Sequence, residues 1–418
     1  MSAAMKRAPL SELCSLITDG THDSPRLLSE GVPFIKGKHI SSGRIDFSSC
    51  DYISYEDHLA VIARSKPEQG DTLFSNIGSV GDTAFVDTDV EFSIKNVALF
   101  KPDRGRLEPR YLYYLLRSDQ VRGEMLAAKS GSAQPFISLG NLRRHEVLFH
   151  PSLETQLRIA SILGAYDDLI EVNRRRVAIL EDMARGLFEE WFVHFRFPGH
   201  EGLQRTDTTD GRLPDGWRFH RLGELGEVIT GKTPSKAVPE YFGCDVPFLK
   251  IPDMHGSMFI HETGEMLSAE GAASQSNKTV PEGSICVSCI GTIGLVAITT
   301  TPCQTNQQIN TIVPRSAEWL EFLYFSLALL KSRLINLGSN GATMGNVNKQ
   351  KFSGITIACP PPGLLDEFSQ KTDAMLSLIR IAELANLRLR ISRDLLLPRL
   401  ISGKISVEAA EHELEDAA

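Results

Sequence analysis

The sequence predicts an α+β chain: two similar mixed α/β domains, each followed by a long helix. Three observations predict it. Blocks of sequence return at a nearly constant offset, a heptad seam runs for more than four repeats, and apolar runs ending at glycine stand at matching places in both halves. With 418 residues there is room for two or three domains and a sizeable core.

The repeat sets the domain limits. "VPFIK" (32–36) returns as "VPFLK" (246–250), and "GDTLFSNIGSVG" (70–81) as "GSICVSCIGTIG" (283–294). "YLYYLL" (111–116) returns as "FLYFSL" (322–327), and "SGSAQPFISLGNL" (130–142) faces "NGATMGNVNKQKF" (340–352). "HPSLETQL" (150–157) faces "PPGLLDEF" (361–368), so the offset stays between 210 and 214. The first domain is assigned to 1–150 and the second to 217–362.

Within each domain the order of elements is the same. "TLFSNIG" and "SICVSCIG" are β-branched or apolar and stop at glycine, which reads as a strand entering a turn. "EPRYLYYLLRSDQVRGEML" and "EWLEFLYFSLALLKSRLINL" read as helices. The first long helix (151–196) carries Ile159, Leu163, Tyr166, Ile170, Asn173, Val177, Leu180, Ala184, Leu187 and Trp191 in alternating steps of four and three. Asn173 is the polar member of that seam, a residue type that fixes register when buried. A polar linker with Gly and Pro follows (197–216). The second long helix (363–406) has a less regular stripe of Leu376, Ile379, Leu384, Leu387, Ile391 and Leu395, and Pro398 is expected to kink or end it. The last twelve residues (407–418) hold five acids and no Lys or Arg, and are read as a disordered tail.

Composition bounds the function classes. Apolar content of 42% and charged content of 23% are ordinary for a globular protein, and no apolar run reaches membrane-spanning length. The N-terminus has no apolar secretory stretch, and seven scattered cysteines suit a reducing compartment, so the cytoplasm is expected. The formal charge of −8 argues against a strongly basic binding face, but without the five acids of the tail it is −3.

"GEVITGKT" (226–233) satisfies the nucleotide-binding pattern G-x-x-x-x-G-K-[ST]. Pro234 and Pro239 oppose the helix that such a loop requires, and the corresponding "CSLITDGTH" (14–22) lacks the first glycine and the lysine. A turn at the same place in both halves is the better reading. Cys286 and Cys289 form a lone C-x-x-C that the repeat replaces with Leu73 and Asn76, so they read as strand residues rather than zinc ligands. There is no [DE]-x-K triplet, no H-E-x-x-H, no G-x-S-x-G and no amino-methyltransferase Asn/Asp-Pro-Pro-aromatic motif. No catalytic residue, metal site or cofactor site is assigned.

Two related domains on rods suit recognition of something long at two points. At this level the chain resembles the specificity (S) subunit of type I restriction-modification systems over nearly its whole length. The resemblance is carried by "ITDGTHDSP" (17–25), "ITGKTPS" (229–235), "IGSVG" (77–81), "IGTIG" (290–294), "NQQI" (306–309) and "LLPRLISGKI" (396–405). The first half departs from it in "FSIKNVAL" (92–99) and "LFEEWFVHF" (187–195). The resemblance implies two target recognition domains separated by two long antiparallel coiled-coil helices with a pseudo-two-fold repeat. Each domain would read one half of a bipartite, asymmetric site in double-stranded DNA, and the helices would set the gap. Two methyltransferase (M) subunits carrying S-adenosylmethionine would dock on the chain, and restriction (R) subunits with ATP and Mg would join through them. The chain itself would be non-catalytic and bind no cofactor. A bipartite adaptor for RNA or protein is the alternative, although aromatics are only 7% where single-strand RNA readers need stacking platforms.

Candidate DNA contacts are the donors, acceptors and cations of the repeated loops. In the first domain they are Thr21, His22, Lys36, Lys38, Asn76, Ser79, Ser132 and Gln134; in the second, Lys232, Thr233, Lys250, Ser288, Thr292, Asn340, Thr343 and Asn346. Gln307 and Gln308 suit adenine or a framework role, and Arg174, Arg175 and Arg176 suit a solvated face, the DNA backbone or an M subunit. Lys36 and Lys250 are expected to meet phosphate, so that removing either would flatten the salt dependence of binding.

Overall fold

The computed structural model describes residues 5–41, 43–78, 80–127, 136–208, 211–339 and 345–415. Two compact units form: Met1–Leu169 with Leu389–Ala418, and Ile170–Arg388. Each unit therefore holds one α/β domain and a stretch of both long helices.

In the first unit, strands Cys14–Asp19, Ala98–Pro102, Thr72–Phe74 and Thr83–Phe85 form an antiparallel sheet in that spatial order. A second sheet joins Asp51–Ile53, Val32–Lys36 and Ser93–Lys95, the last pair parallel. Between the sheets lie Ile35, Leu73, Ala84, Ile94 and Leu99, all fully buried. The other face of the first sheet packs Ile17, Phe74 and Phe100 against Tyr111, Tyr114, Leu163 and Leu400. The tyrosine-rich helix is Pro109–Arg117, with proline in its first turn and the Glu108 carboxylate accepting from the Tyr111 N–H. The single helix expected there breaks at Ser118, whose hydroxyl donates to the Leu115 carbonyl, and restarts at Asp119.

The second unit repeats this scheme. Gly226–Thr230, Ile309–Pro314, Ile285–Ser288 and Val296–Thr299 take the same order, and Phe259–Ile260 adds a fifth, parallel strand. The second sheet joins Met266–Leu267, Phe242–Leu249, Cys303–Thr305 and Thr279–Val280. One irregularity accounts for a single step of the drifting offset, from 212 to 211: a bulge between Lys101 and Pro102 gives the first strand of the first domain an extra residue. Before the bulge Cys14 and Gly226 occupy matching register; after it Gly20 matches Gly231.

The first long helix is Leu153–Phe188, ending in a wide turn over Glu189–Val193. Its seam is as expected, with Ile159, Leu163, Ile170 and Ala184 buried. Asn173 Nδ2 donates to Asn386 Oδ1 at 3.0 Å. The two asparagines are 213 residues apart, so each is the other's repeat counterpart. At the helix end Phe188, Trp191 and Phe192 pack with Phe322 and Phe368 of the second unit; the Phe192 and Phe368 centroids lie 4.8 Å apart, edge to face.

Three expectations need correction. Of the two effects expected of Pro398, a kink or an end, the end is not found, since the second long helix, Pro362–Ile401, runs through it. Pro398 stands in the last turn, and the chain leaves the helix at Gly403, whose φ is +69°. The linker is not wholly polar: Phe197 and Leu213 are buried in the core of the second unit, beside Trp217 at the start of the second domain. The acidic tail forms a helix, Val407–Glu415, rather than disorder. Val407 and Ala410, one turn apart, are buried, while Arg158 pairs with both Glu408 and Glu411. Charge counting missed the apolar pair and the cation waiting on the first long helix. Among the described residues no helix is long and apolar enough to cross a membrane.

Candidate nucleic-acid interface

In both domains the first strand of the large sheet runs into a turn that another loop presses from behind. Gly20 donates to the Val97 carbonyl at 2.9 Å, and Gly231 to the Ile309 carbonyl at 3.1 Å. The next residues, Thr21 and Lys232, donate to the carbonyls of Ile94 and Thr305. A Cβ on Gly20 would lie 2.1 Å from the Ile94 carbonyl oxygen, and one on Gly231 the same distance from that of Asn306. No other residue fits there, which is why both halves keep this glycine.

The two turns carry different side chains on this shared frame. In the first domain His22 is exposed and bridges Asp19 and Asn96: Nε2 lies 3.1 Å from Asp19 Oδ2, and Nδ1 lies 2.8 Å from Asn96 Oδ1. The carboxylate accepts only, so Nε2 carries a proton. A neutral ring then meets the Asn96 NH2 group, and a charged ring meets its carbonyl. Asp19 also holds Arg64 at 2.5 Å, and Lys95 reaches Ser24. Asn96 takes the left-handed φ of 54° that presses its side chain onto this cluster.

In the second domain the Thr233 hydroxyl donates to Gln307 Oε1 at 2.6 Å. Asn306 Nδ2 donates to Gln308 Oε1 at 3.0 Å, and Asn306 Oδ1 accepts the Gln308 N–H at 3.1 Å. Gln308 lies beside the turn at Gly291, and Ile290 of that turn pairs with Asn346. Lys232, Thr292 and Asn346 are exposed and Thr233 is half-buried. Four adjoining loops thus carry five polar side chains: Thr233, Thr292, Gln307 with Gln308, and Asn346.

Other expected residues lie elsewhere. Lys36 pairs with Asp51 at 2.7 Å over the ring of Phe34, and Lys250 pairs with Glu265 over the ring of Phe248. All three positions recur at an offset of 214, with Glu265 in place of Asp51, so the paired lysine is a framework feature. Asn76 and Ser288 are buried. The Ser288 hydroxyl accepts the Leu295 N–H across its turn, and Asn76 Nδ2 donates to the carbonyl of Ile137, 61 residues on. Lys38 and Thr21 stay at the surface, Thr21 holding the Asp23 N–H. Ser79, Ser132, Gln134, Asn340 and Thr343 lie outside the described residues. Arg175 pairs with Glu171 one turn away, and Arg176 is exposed. Sequence reasoning missed Asn96, Arg64 and Lys95, which the repeat points to only once the second-domain loop Asn306–Gln308 is set against 94–96.

The nucleotide-binding reading of 226–233 has no geometric support. Gly226–Thr230 is a sheet strand, the Gly231 and Lys232 N–H groups are spent on carbonyls, and no helix starts at Thr233. Cys286 and Cys289 lie at one buried strand, where burial pushes their thiols up to about 12 and about 11.

Comparison with known proteins agrees in kind. Residues 5–182 and 214–375 match a family model described as the type I restriction modification DNA specificity domain. A type I restriction enzyme HindI specificity subunit from Haemophilus influenzae is 33% identical over 86% of this chain and 91% of its own. A putative type I restriction enzyme MjaX specificity subunit from Methanocaldococcus jannaschii is 25% identical over 96% and 93%. The crystal structure of a type I restriction-modification S subunit from M. genitalium matches with a TM-score of 0.59 at 14% identity, covering 95% of this chain and 96% of that one; at that identity the likeness is one of fold.

Proposed function

The chain belongs to the type I restriction-modification DNA specificity family, and from that premise we propose that it reads a bipartite, asymmetric DNA site, one half with each domain. It is a sequence-recognition subunit with no chemistry of its own. Two methyltransferase subunits dock on it and supply S-adenosylmethionine; restriction subunits, with ATP and Mg, join through them. The two long helices set the gap between half-sites.

One observation carries the reading. The same strand-to-turn frame occurs twice, yet it presents His22, Asn96 and Lys95 in one domain and Thr233, Gln307 and Gln308 in the other. A shared frame with unlike polar tips is what two different half-sites require. Methylation mapping in a host expressing this chain with its methyltransferase partner tests it. Two short unlike sequences separated by a fixed unread gap are expected; a single contiguous motif would overturn the reading. A gel shift of that complex with duplex DNA against RNA separates it from the adaptor alternative.

Two further results are expected. Inserting four residues after Val177 lengthens the first helix by about 6 Å and should change the gap while both half-site sequences persist. Loss of half-site identity would remove the helices from that role. Lys36→Ala and Lys250→Ala should leave the slope of log affinity against log salt unchanged, because their ammonium groups are internally paired. A drop of about one unit would return them to phosphate contact.

A further inference from the structure

We infer that Gln308 reads a base in the second half-site, and that the group it presents is a hydrogen-bond donor only, matched to the acceptor edge of guanine. The inference rests on the DNA-reading function proposed above and names its chemistry at one position.

The hydrogen bonds around Gln308 leave one orientation. Asn306 Oδ1 accepts the backbone N–H of Gln308 at 3.1 Å, so that side of the Asn306 amide is its oxygen. The other side is therefore NH2, and it faces Gln308 at 3.0 Å. A donor facing Gln308 requires the Gln308 carbonyl oxygen to meet it. Turning either amide over would set donor against donor or break the Asn306 turn. Gln308 Nε2 is what remains, and among the described residues it has no acceptor within hydrogen-bonding distance. Gln308 is half-buried and its neighbour Gln307 is exposed.

The surroundings keep that NH2 group open. A Cβ on Gly291 would come within 3.8 Å of Gln308 Nε2, and Gly291 has a φ of +76° that favours glycine. The turn thus leaves space over the amide where a side chain would otherwise stand. Gln307 differs. Its oxygen meets the Thr233 hydroxyl, which rotates to donate or accept, so nothing locks the Gln307 amide.

A locked donor has a definite preference. Bidentate reading of adenine needs a carbonyl for N6 and an NH2 for N7 from the same amide. The Gln308 carbonyl is already occupied, so that arrangement is closed to it. Guanine places two acceptors, N7 and O6, side by side in the major groove, and one NH2 group serves both. Cytosine, which offers an N4 donor, is repelled. Of the two roles the sequence leaves open for Gln308, adenine contact or framework, this geometry favours neither and points to guanine.

The test uses the full chain in complex with its methyltransferase partner and a randomised duplex DNA library. The wild-type complex should select a motif with guanine at one position of the second half-site. Gln308→Glu, which presents only acceptors, should cut enrichment of guanine there by about tenfold or more and raise cytosine. Asn306→Asp is the sharper variant. Its carboxylate still accepts the Gln308 N–H but no longer donates, so it draws the Gln308 NH2 inward and turns the carbonyl outward. It should shift the same position from guanine towards cytosine with Gln308 itself unchanged. The first half-site should be identical in all three selections. Unchanged motifs in both variants would overturn the inference, as would an equal loss of affinity for every sequence, the mark of a phosphate contact. A wild-type complex that selects no motif would overturn the function on which it rests.

Discussion

Replacing Glu383 with alanine is expected to destabilise the second unit by about 3–5 kcal/mol, since it strands buried hydrogen-bond donors. Glu383 projects from the second long helix with only 8% of its side chain exposed. Its two oxygens accept the backbone N–H groups of Met258 and Phe259 at 2.8 and 3.0 Å. Those groups lie at the outer edge of the five-stranded sheet, where Phe259–Ile260 pairs on one side with Val296–Thr299 and, among the described residues, has no strand on the other. The carboxylate does for this edge what another strand would do, and it ties the sheet to the helix. Met258 and Phe259 are 1% and 6% exposed, so water does not replace the lost acceptor. Glu383→Gln keeps one oxygen but turns an NH2 group towards a donor, and about half the loss is expected. Urea unfolding of the full chain measures the cost, and amide exchange at Met258 and Phe259 locates it. A change below about 1 kcal/mol for the alanine variant would show the edge to be held otherwise.

This residue also shows where the sequence stopped being legible. The seam of the first long helix is apolar and was readable from spacing alone. At the repeat offset of 213 its Ile170 and Leu180 correspond to Glu383 and Arg393, so the second seam carries buried charges where the first carries aliphatics. A periodicity argument sees only an irregular stripe, because those positions are satisfied by partners distant in sequence: a sheet edge for Glu383 and Asp167 for Arg393. The loop cluster divides in the same way. Gly20 and Gly231 were visible as punctuation, and the exposed His22, Lys232 and Thr292 followed from the repeat. Asn76 and Ser288 have the polarity of contact residues but are buried, Ser288 closing its own turn and Asn76 tied to the Ile137 carbonyl. Lys36 and Lys250 were read as free cations, but a carboxylate 15 residues downstream pairs with each, and spacing in the sequence does not announce that pairing. Polarity says that a side chain wants a partner; only the fold says whether the partner lies inside.

The second large effect is expected in the first unit. Arg393, with 7% of its side chain exposed, donates to Asp167 Oδ1 through Nη1 and to Asp394 at 2.8 Å through Nη2. Asp167 Oδ2 accepts the Tyr114 hydroxyl at 2.6 Å, and Arg117 lies 3.9 Å away. Burial and the nearby Asp167 charge push the Tyr114 phenol up, so it stays a donor to that carboxylate. One carboxylate thus joins both long helices and the tyrosine helix Pro109–Arg117. Asp167→Ala leaves Arg393 with a single, half-exposed partner and Tyr114 with none, for an expected loss of about 3–5 kcal/mol. Arg393→Met costs less, about 1–3 kcal/mol, since Asp167 keeps the Tyr114 hydroxyl and Arg117. The double variant Asp167→Leu with Arg393→Met removes both charges and fills the space with apolar groups, so it should recover most of the loss of Asp167→Ala. A double-mutant cycle in urea built from Asp167→Leu, Arg393→Met and their combination should therefore show a coupling of about 3 kcal/mol or more between the two sites. Additive single effects would mean that each residue acts through other neighbours, Asp394 for the arginine and Tyr114 for the aspartate, and that the pair does not couple the helices.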